Sequence, residues 1–139
     1  TYQYRDIARG ERNITEEGKA SCSTVLLPKG SVLFSSRAPI GYVAIASNPM
    51  CTNQGFKSII PNEKIIDPLF LYYLLKANAS SIASHGSGTT FPEISGKVMA
   101  SIEVSFPESI VVQKRIASIL DSLDSKIELN RKLNDNLAA

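Results

Sequence analysis

Apolar positions along the chain follow two periods. Upstream of residue 61 they fall in short runs rich in Val, Ile, Phe and Tyr, bounded by Pro, Gly or Asn. Such runs predict strands over residues 31–35, 41–47 and 55–60, and their spacing predicts an antiparallel meander. Before them, Asn13 and Glu16 fit a short capped helix that Gly18 stops, and Pro28-Lys29-Gly30 fits a turn. At Asp67 the period changes. Phe70, Leu71, Leu74, Leu75 and Ala79 mark one helical face that fades over residues 80–84. Asp67 suits the N-cap and Pro68 the first helical position. A small-residue loop follows from His85 to Thr90, then one or two helical turns over 92–100. Residues 102–106 alternate as a short strand ended by Pro107.

The last segment differs in kind. Residues 109–137 contain no Gly or Pro. Ile116, Leu120, Leu123, Ile127, Asn130, Asn134 and Leu137 are separated by 4, 3, 4, 3, 4 and 3 residues, the seam of a coiled coil. A helix of about 30 residues is about 45 Å long, more than a small body covers. This face therefore predicts a partner helix, with Asn130 and Asn134 either fixing register or simply solvated where the coil frays. Ile119, Leu129 and Leu133 widen the stripe. The fold class is α+β: a twisted, mainly antiparallel sheet with packed helices, followed by a long C-terminal coiled-coil helix.

Composition sharpens the picture in three places. Hydrophobic residues make up 43% of the 139, enough for a core, and no run of 18 apolar residues exists to span a membrane. The net charge is only +2, but residues 18–62 carry no Asp or Glu while holding Lys19, Lys29, Arg37 and Lys57. A zone free of carboxylates does not repel a polyanion. Cys22 and Cys51 lack partners at metal-ligand spacing and read as reduced, semi-buried thiols of a cytoplasmic protein.

Catalysis needs a constellation, and none is visible. His85, the only histidine, sits in a flexible loop without a partner. Gly86-Ser87-Gly88 lacks the third Gly, the Lys and the preceding strand of a phosphate loop. The pattern describes a binding module rather than an enzyme. The alternative is a structural protein that dimerises through its heptad helix and reads no polyanion.

Five stretches together resemble the specificity subunit of type I restriction–modification systems. They are residues 27–41 (LPKGSVLFSSRAPIG), 52–57 (TNQGFK), 70–75 (FLYYLL), 88–95 (GTTFPEIS) and 113–120 (QKRIASIL). The resemblance covers nearly the whole chain. It implies a DNA-reading subunit with two target-recognition domains and two long antiparallel helices acting as a ruler. It implies methyltransferase (M) and restriction (R) partners, with S-adenosylmethionine on the methyltransferase and no cofactor in this chain. It divides the chain into a recognition domain, residues 1–107, and a spacer helix, residues 108–139. The family's domain begins some tens of residues before the region matching Thr1 and has a second copy, so the chain is expected to be a truncated half that homodimerises through the helix.

Within that frame the candidate DNA-binding residues are Ser35, Ser36, Arg37, Thr52, Asn53, Gln54, Lys57, Gly88, Thr89 and Thr90. Hydroxyls, carboxamides and Arg serve phosphates and base edges, and small residues admit backbone N–H groups to phosphate. Motifs shared by proteins that read different sequences suit backbone contact better than base choice. Arg37 is therefore expected to be a phosphate or scaffold residue, with base reading elsewhere, such as residues 2–12. Residues 52–54 fit equally a turn that satisfies its own backbone. The helix interface is expected at Ile116, Leu120, Leu123, Ile127, Asn130, Asn134 and Leu137.

Overall fold

A computed structural model describes residues 5–88 and 92–137. In chain order the elements are β1 (Asp6–Ile7), α1 (Glu16–Ala20), β2 (Val32–Ser36), β3 (Ile40–Ala46), β4 (Phe56–Ile59), α2 (Pro68–Ala83), α3 (Gly96–Ser101) and α4 (Ile110–Leu137).

The sheet has the order β1-β3-β2-β4. β2 pairs antiparallel with both β3 and β4, and β1 lies parallel to β3. This corrects the expected meander. β1 occupies the outer edge of β3, through Ile45 N–H to Arg5 O and Ser47 N–H to Ile7 O, so β4 pairs with the far edge of β2. β1 is two residues long, too short to carry a period. The strand expected at 102–106 does not form, and this stretch has no ladder partner among the described residues.

Side chains alternate across a strand, and β2 shows the consequence. Val32 and Phe34 point into the main core against α2, with Ile45, Ile82 and Ile94. Leu33 points the other way, into a smaller cluster with Leu27 and Ala44. β2 is thus buried on both faces. The close approach of sheet to α2 is set at Gly41, whose φ of +105° suits glycine and where an added Cβ would stand 3.3 Å from that of Ala79.

α2 begins as its sequence dictates: the Asp67 carboxylate accepts from Phe70 N–H at 3.0 Å, with Pro68 in the first turn. It runs on to Ala83, past the serines where its apolar face fades. Tyr72 and Tyr73 are buried along with Phe70, Leu71 and Leu75, because the sheet and α4 cover different sides of the helix. α1 corrects a smaller expectation. Its N-cap is Thr15, not Asn13, and Gly18 lies inside it, donating its N–H to Thr15 Oγ1.

α4 turns an unexpected face to the body. Its buried residues are Gln113 and Ala117, and further along Asp121 and Asp124 meet the body through polar bonds. The heptad seam lies beside this stripe and faces out: Ile116, Leu120, Leu123, Ile127 and Leu137 are all exposed, as are Asn130 and Asn134.

Candidate nucleic-acid interface

Three loops converge at one end of the sheet. The first is the β2–β3 turn. Ser35 Oγ donates to Pro39 O at 2.9 Å and accepts from Tyr42 N–H at 2.8 Å. Both bonds tie the turn to itself, and the residue is buried. Ser36 is fully buried; its N–H donates to Gly55 O and its C=O accepts from Ile94 N–H, which joins the turn to the other two loops. Its hydroxyl has no hydrogen-bond partner among the described residues. The two serines therefore build the turn rather than present donors at its tip. Arg37 is the residue that emerges.

The second loop carries Thr52 to Lys57. Asn53 Oδ1 accepts from Gly55 N–H at 2.9 Å, a turn closed by its own side chain. Thr52 Oγ1 lies 3.2 Å from Ser58 Oγ, and its carbonyl accepts from Thr24 Oγ1. Gln54 is exposed, and its carbonyl accepts from Lys57 Nζ at 3.3 Å. Gly55 is small for a reason. A Cβ there would approach Asn53 Oδ1 to 3.0 Å and Arg37 Nε to 3.4 Å, because the Arg37 side chain lies across it.

The third loop leaves α2 and returns toward α3. Ser87 and Glu93 exchange two backbone hydrogen bonds, 3.1 and 3.0 Å, which close its neck. Gly86 packs under it: an added Cβ would strike Ile40 Cδ1 at 2.8 Å. Gly88 is exposed with φ of +122°. Thr89 and Thr90 lie outside the described residues.

Glu93 links all three loops. Its carboxylate stands 3.3 Å from Lys57 Nζ and 3.9 Å from Arg37. The carboxylate-free surface expected from residues 18–62 is corrected here, because folding brings an acid from a distant segment between the two cations. All three side chains are partly exposed, so these pairs contribute only about 0–1 kcal/mol each. Such a pair holds the Arg37 and Lys57 side chains in place yet gives them up cheaply to a stronger anion.

A second polar group lies between α2 and α4. Arg5 pairs with Asp121, and Asp124 accepts from Tyr73 OH and Lys76 Nζ, each at 3.2 Å. Burial and the neighbouring Asp124 carboxylate push the Tyr73 phenol up to about 12. Gln113 adds a buried tie at the root of the helix. This stripe is not among the sequence expectations; the four-residue spacing of Gln113 and Ala117 is the one signal of it in the sequence.

Other chemistry is sparse. Cys22 is exposed and Cys51 half-buried, both as free thiols; the expectation that both are semi-buried fails for Cys22. His85 is exposed, its Nδ1 2.9 Å from Ser81 O. Among the described residues no group of three or more His, Cys, Asp or Glu side chains could hold a metal ion, and no helix is long and apolar enough to cross a membrane.

The family model of the type I restriction modification DNA specificity domain matches residues 1–139. The MjaIX specificity subunit of Methanocaldococcus jannaschii is 46% identical over 98% of this chain and 32% of its own length. The HindI specificity subunit of Haemophilus influenzae is 33% identical, over 80% of this chain and 26% of its own. Among solved structures, the S subunit of a type I system from M. genitalium aligns over 96% of this chain and 36% of its own, with a TM-score of 0.60 and 26% identity. The HsdS subunit of Thermoanaerobacter tengcongensis shares the fold at a TM-score of 0.64 and 20% identity, over 86% of this chain and 33% of its own. The chain spans about a third of the length of these proteins. From the convergent loops to the long terminal helix, the chain belongs to the family of type I restriction modification DNA specificity domains.

Proposed function

We propose that the body, residues 1–107, reads one half of a bipartite target in double-stranded DNA, and that residues 108–139 form the spacer helix that joins it to a second body. The observation that supports this reading is the convergence of Arg37, Lys57, Gln54 and Gly88 on one rim of the sheet, braced from below by Ser35, Ser36 and Gly55. Arg37 and Lys57 serve phosphates, exchanging Glu93 for a phosphate oxygen, which carries a full charge in a fixed place. Gln54 and Gly88 are exposed on this rim, where they can approach base edges or sugar. Ser35 and Ser36 act through the shape of the turn.

The exposed seam from Ile116 to Leu137 takes a second helix, and we assign that helix to a second copy's α4, because the seam is apolar and self-complementary in kind. The domain binds and does not catalyse. Methyltransferase and restriction subunits dock on the assembled protein, with the methyl donor on the methyltransferase, and the complex works on DNA in the cytoplasm.

The test is the salt dependence of DNA binding by the full complex carrying Arg37→Gln. The log–log slope should fall in magnitude by about 0.9, the signature of one lost phosphate contact. An unchanged slope and affinity would make Arg37 a structural residue only.

A further inference from the structure

The side-chain hydrogen bonds and ion pairs that tie α4 to the body begin in its first turn and run to Asp124. Gln113 is fully buried in its first turn. Its Oε1 accepts from Asp67 N–H at 2.9 Å, and its Nε2 donates to Ile65 O at 3.0 Å and Pro107 O at 2.7 Å. One carboxamide thus joins the root of α4, the N-cap of α2 and the linkers before both helices. One turn on, buried Ala117 lets α4 come close to the body. Then Asp121 meets Arg5, and Asp124 meets Tyr73 and Lys76. From Gln113 to Asp124 is about 16 Å along the helix. Beyond Asp124 the described side-chain bonds of α4 stay within the helix, as in Lys132 to Glu128 at 2.7 Å.

Apolar contact is non-directional, so it fixes distance better than angle. Hydrogen bonds weaken steeply off axis, and a buried amide with three partners tolerates little rotation. The lever is long. From Gln113 to Leu137 is about 36 Å, and a tilt of about 10° at the root moves the far end by about 6 Å, close to two base-pair steps.

We infer that Gln113 is a positioning residue: with Arg5–Asp121 as its second tether, it sets the angle at which α4 leaves the body and thereby the DNA spacing that the assembled protein accepts. This rests on the DNA-reading function proposed above. The apolar seam then decides whether two bodies join, and the Gln113 clamp decides how they are aimed.

Two readouts on the full specificity subunit test it. Spin labels at Ser80→Cys on α2 and Asp135→Cys on α4, in a background without Cys22 and Cys51, report the angle by pulsed electron resonance. Gln113→Met, which keeps length and loses all three bonds, should broaden that distance distribution. In the subunit with its methyltransferase, binding is then measured on DNAs with the two half-sites separated by the native spacer and by one base pair more or less. The native protein should prefer its own spacing about tenfold, and Gln113→Met should cut that preference at least threefold while affinity for a single half-site changes less than twofold. If Gln113→Met does not fold, Asp121→Asn should show the same effects in weaker form. An unchanged distance distribution overturns the clamp. A broadened distribution with unchanged spacing preference overturns the consequence for DNA. A native protein that binds no DNA overturns the proposed function, and the distance measurement still decides the clamp.

Discussion

Phe34 in the body and Ile127 on α4 are both large apolar residues in regular elements, yet Phe34 has no exposed surface and Ile127 is 48% exposed. The body buries a core of its own, with the sheet packed on α2 and a smaller cluster beneath. α4 spends its inward face on Gln113, Ala117, Asp121 and Asp124, and leaves its apolar seam outside. A period in the sequence tells which residues share a face. It does not tell what covers that face. The body buries its main apolar cluster within itself, and α4 leaves an apolar seam uncovered.

The difference breaks most sharply under paired substitutions. Phe34→Ala should cost about 3–5 kcal/mol in urea unfolding, the usual loss for a buried aromatic. Ile127→Asp should leave the unfolding of the body nearly unchanged. In sedimentation velocity the same Ile127→Asp variant should run as a monomer where the native chain runs as a dimer. If Ile127→Asp unfolds the body, α4 is part of the core. If the native chain stays monomeric at high concentration, the seam is not a self-interface.

Arg37→Gln gives a smaller effect that touches only the rim. DNA affinity of the full complex should fall about tenfold at low salt, with thermal stability changed little, because the pair it makes with Glu93 is exposed and 3.9 Å long. Equal losses of stability and affinity would assign Arg37 to the scaffold.

The narrowest effect, confined to alkaline pH, belongs to Tyr73 at the α2–α4 contact. Its phenol is held neutral to about 12, from an ordinary value of 10.0, by burial and by Asp124. A raised folded pKa means stability that is complete below the unfolded value and is lost as pH rises through the folded one. The native protein should therefore lose this contribution between about pH 10 and 12, and Tyr73→Phe should remove that part of the pH dependence. The tyrosinate absorbance titration should show one of the five tyrosines ionising late. A single transition near 10 for all of them would contradict the assignment.

Local signals carried the elements well. Asp67 and Pro68 mark the start of α2, the apolar runs mark β2, β3 and β4 to within about a residue, and the Gly- and Pro-free segment becomes α4. What depends on distant pairing was not legible. β1 is set by its neighbour β3, and the sheet order follows from it. Ser35 read as an exposed donor because hydroxyls suit tips, but its bonds close the turn from inside. Glu93 joins Arg37 and Lys57 only once the loop after α2 folds back. Gln113 stood out only as part of the family-like stretch 113–120, since nothing local marks a glutamine whose partners are Ile65, Asp67 and Pro107.

In the proposed function the body chooses one half of a DNA target while α4 sets where the other half lies. The direct measurement is methylation-site sequencing of DNA from cells that express the full specificity subunit with its methyltransferase. The body is exchanged for that of a relative, and α4 is kept. One half of the methylated motif should change, with the other half and the spacing between them preserved. A motif unchanged by the exchange, or lost in both halves at once, would contradict the account.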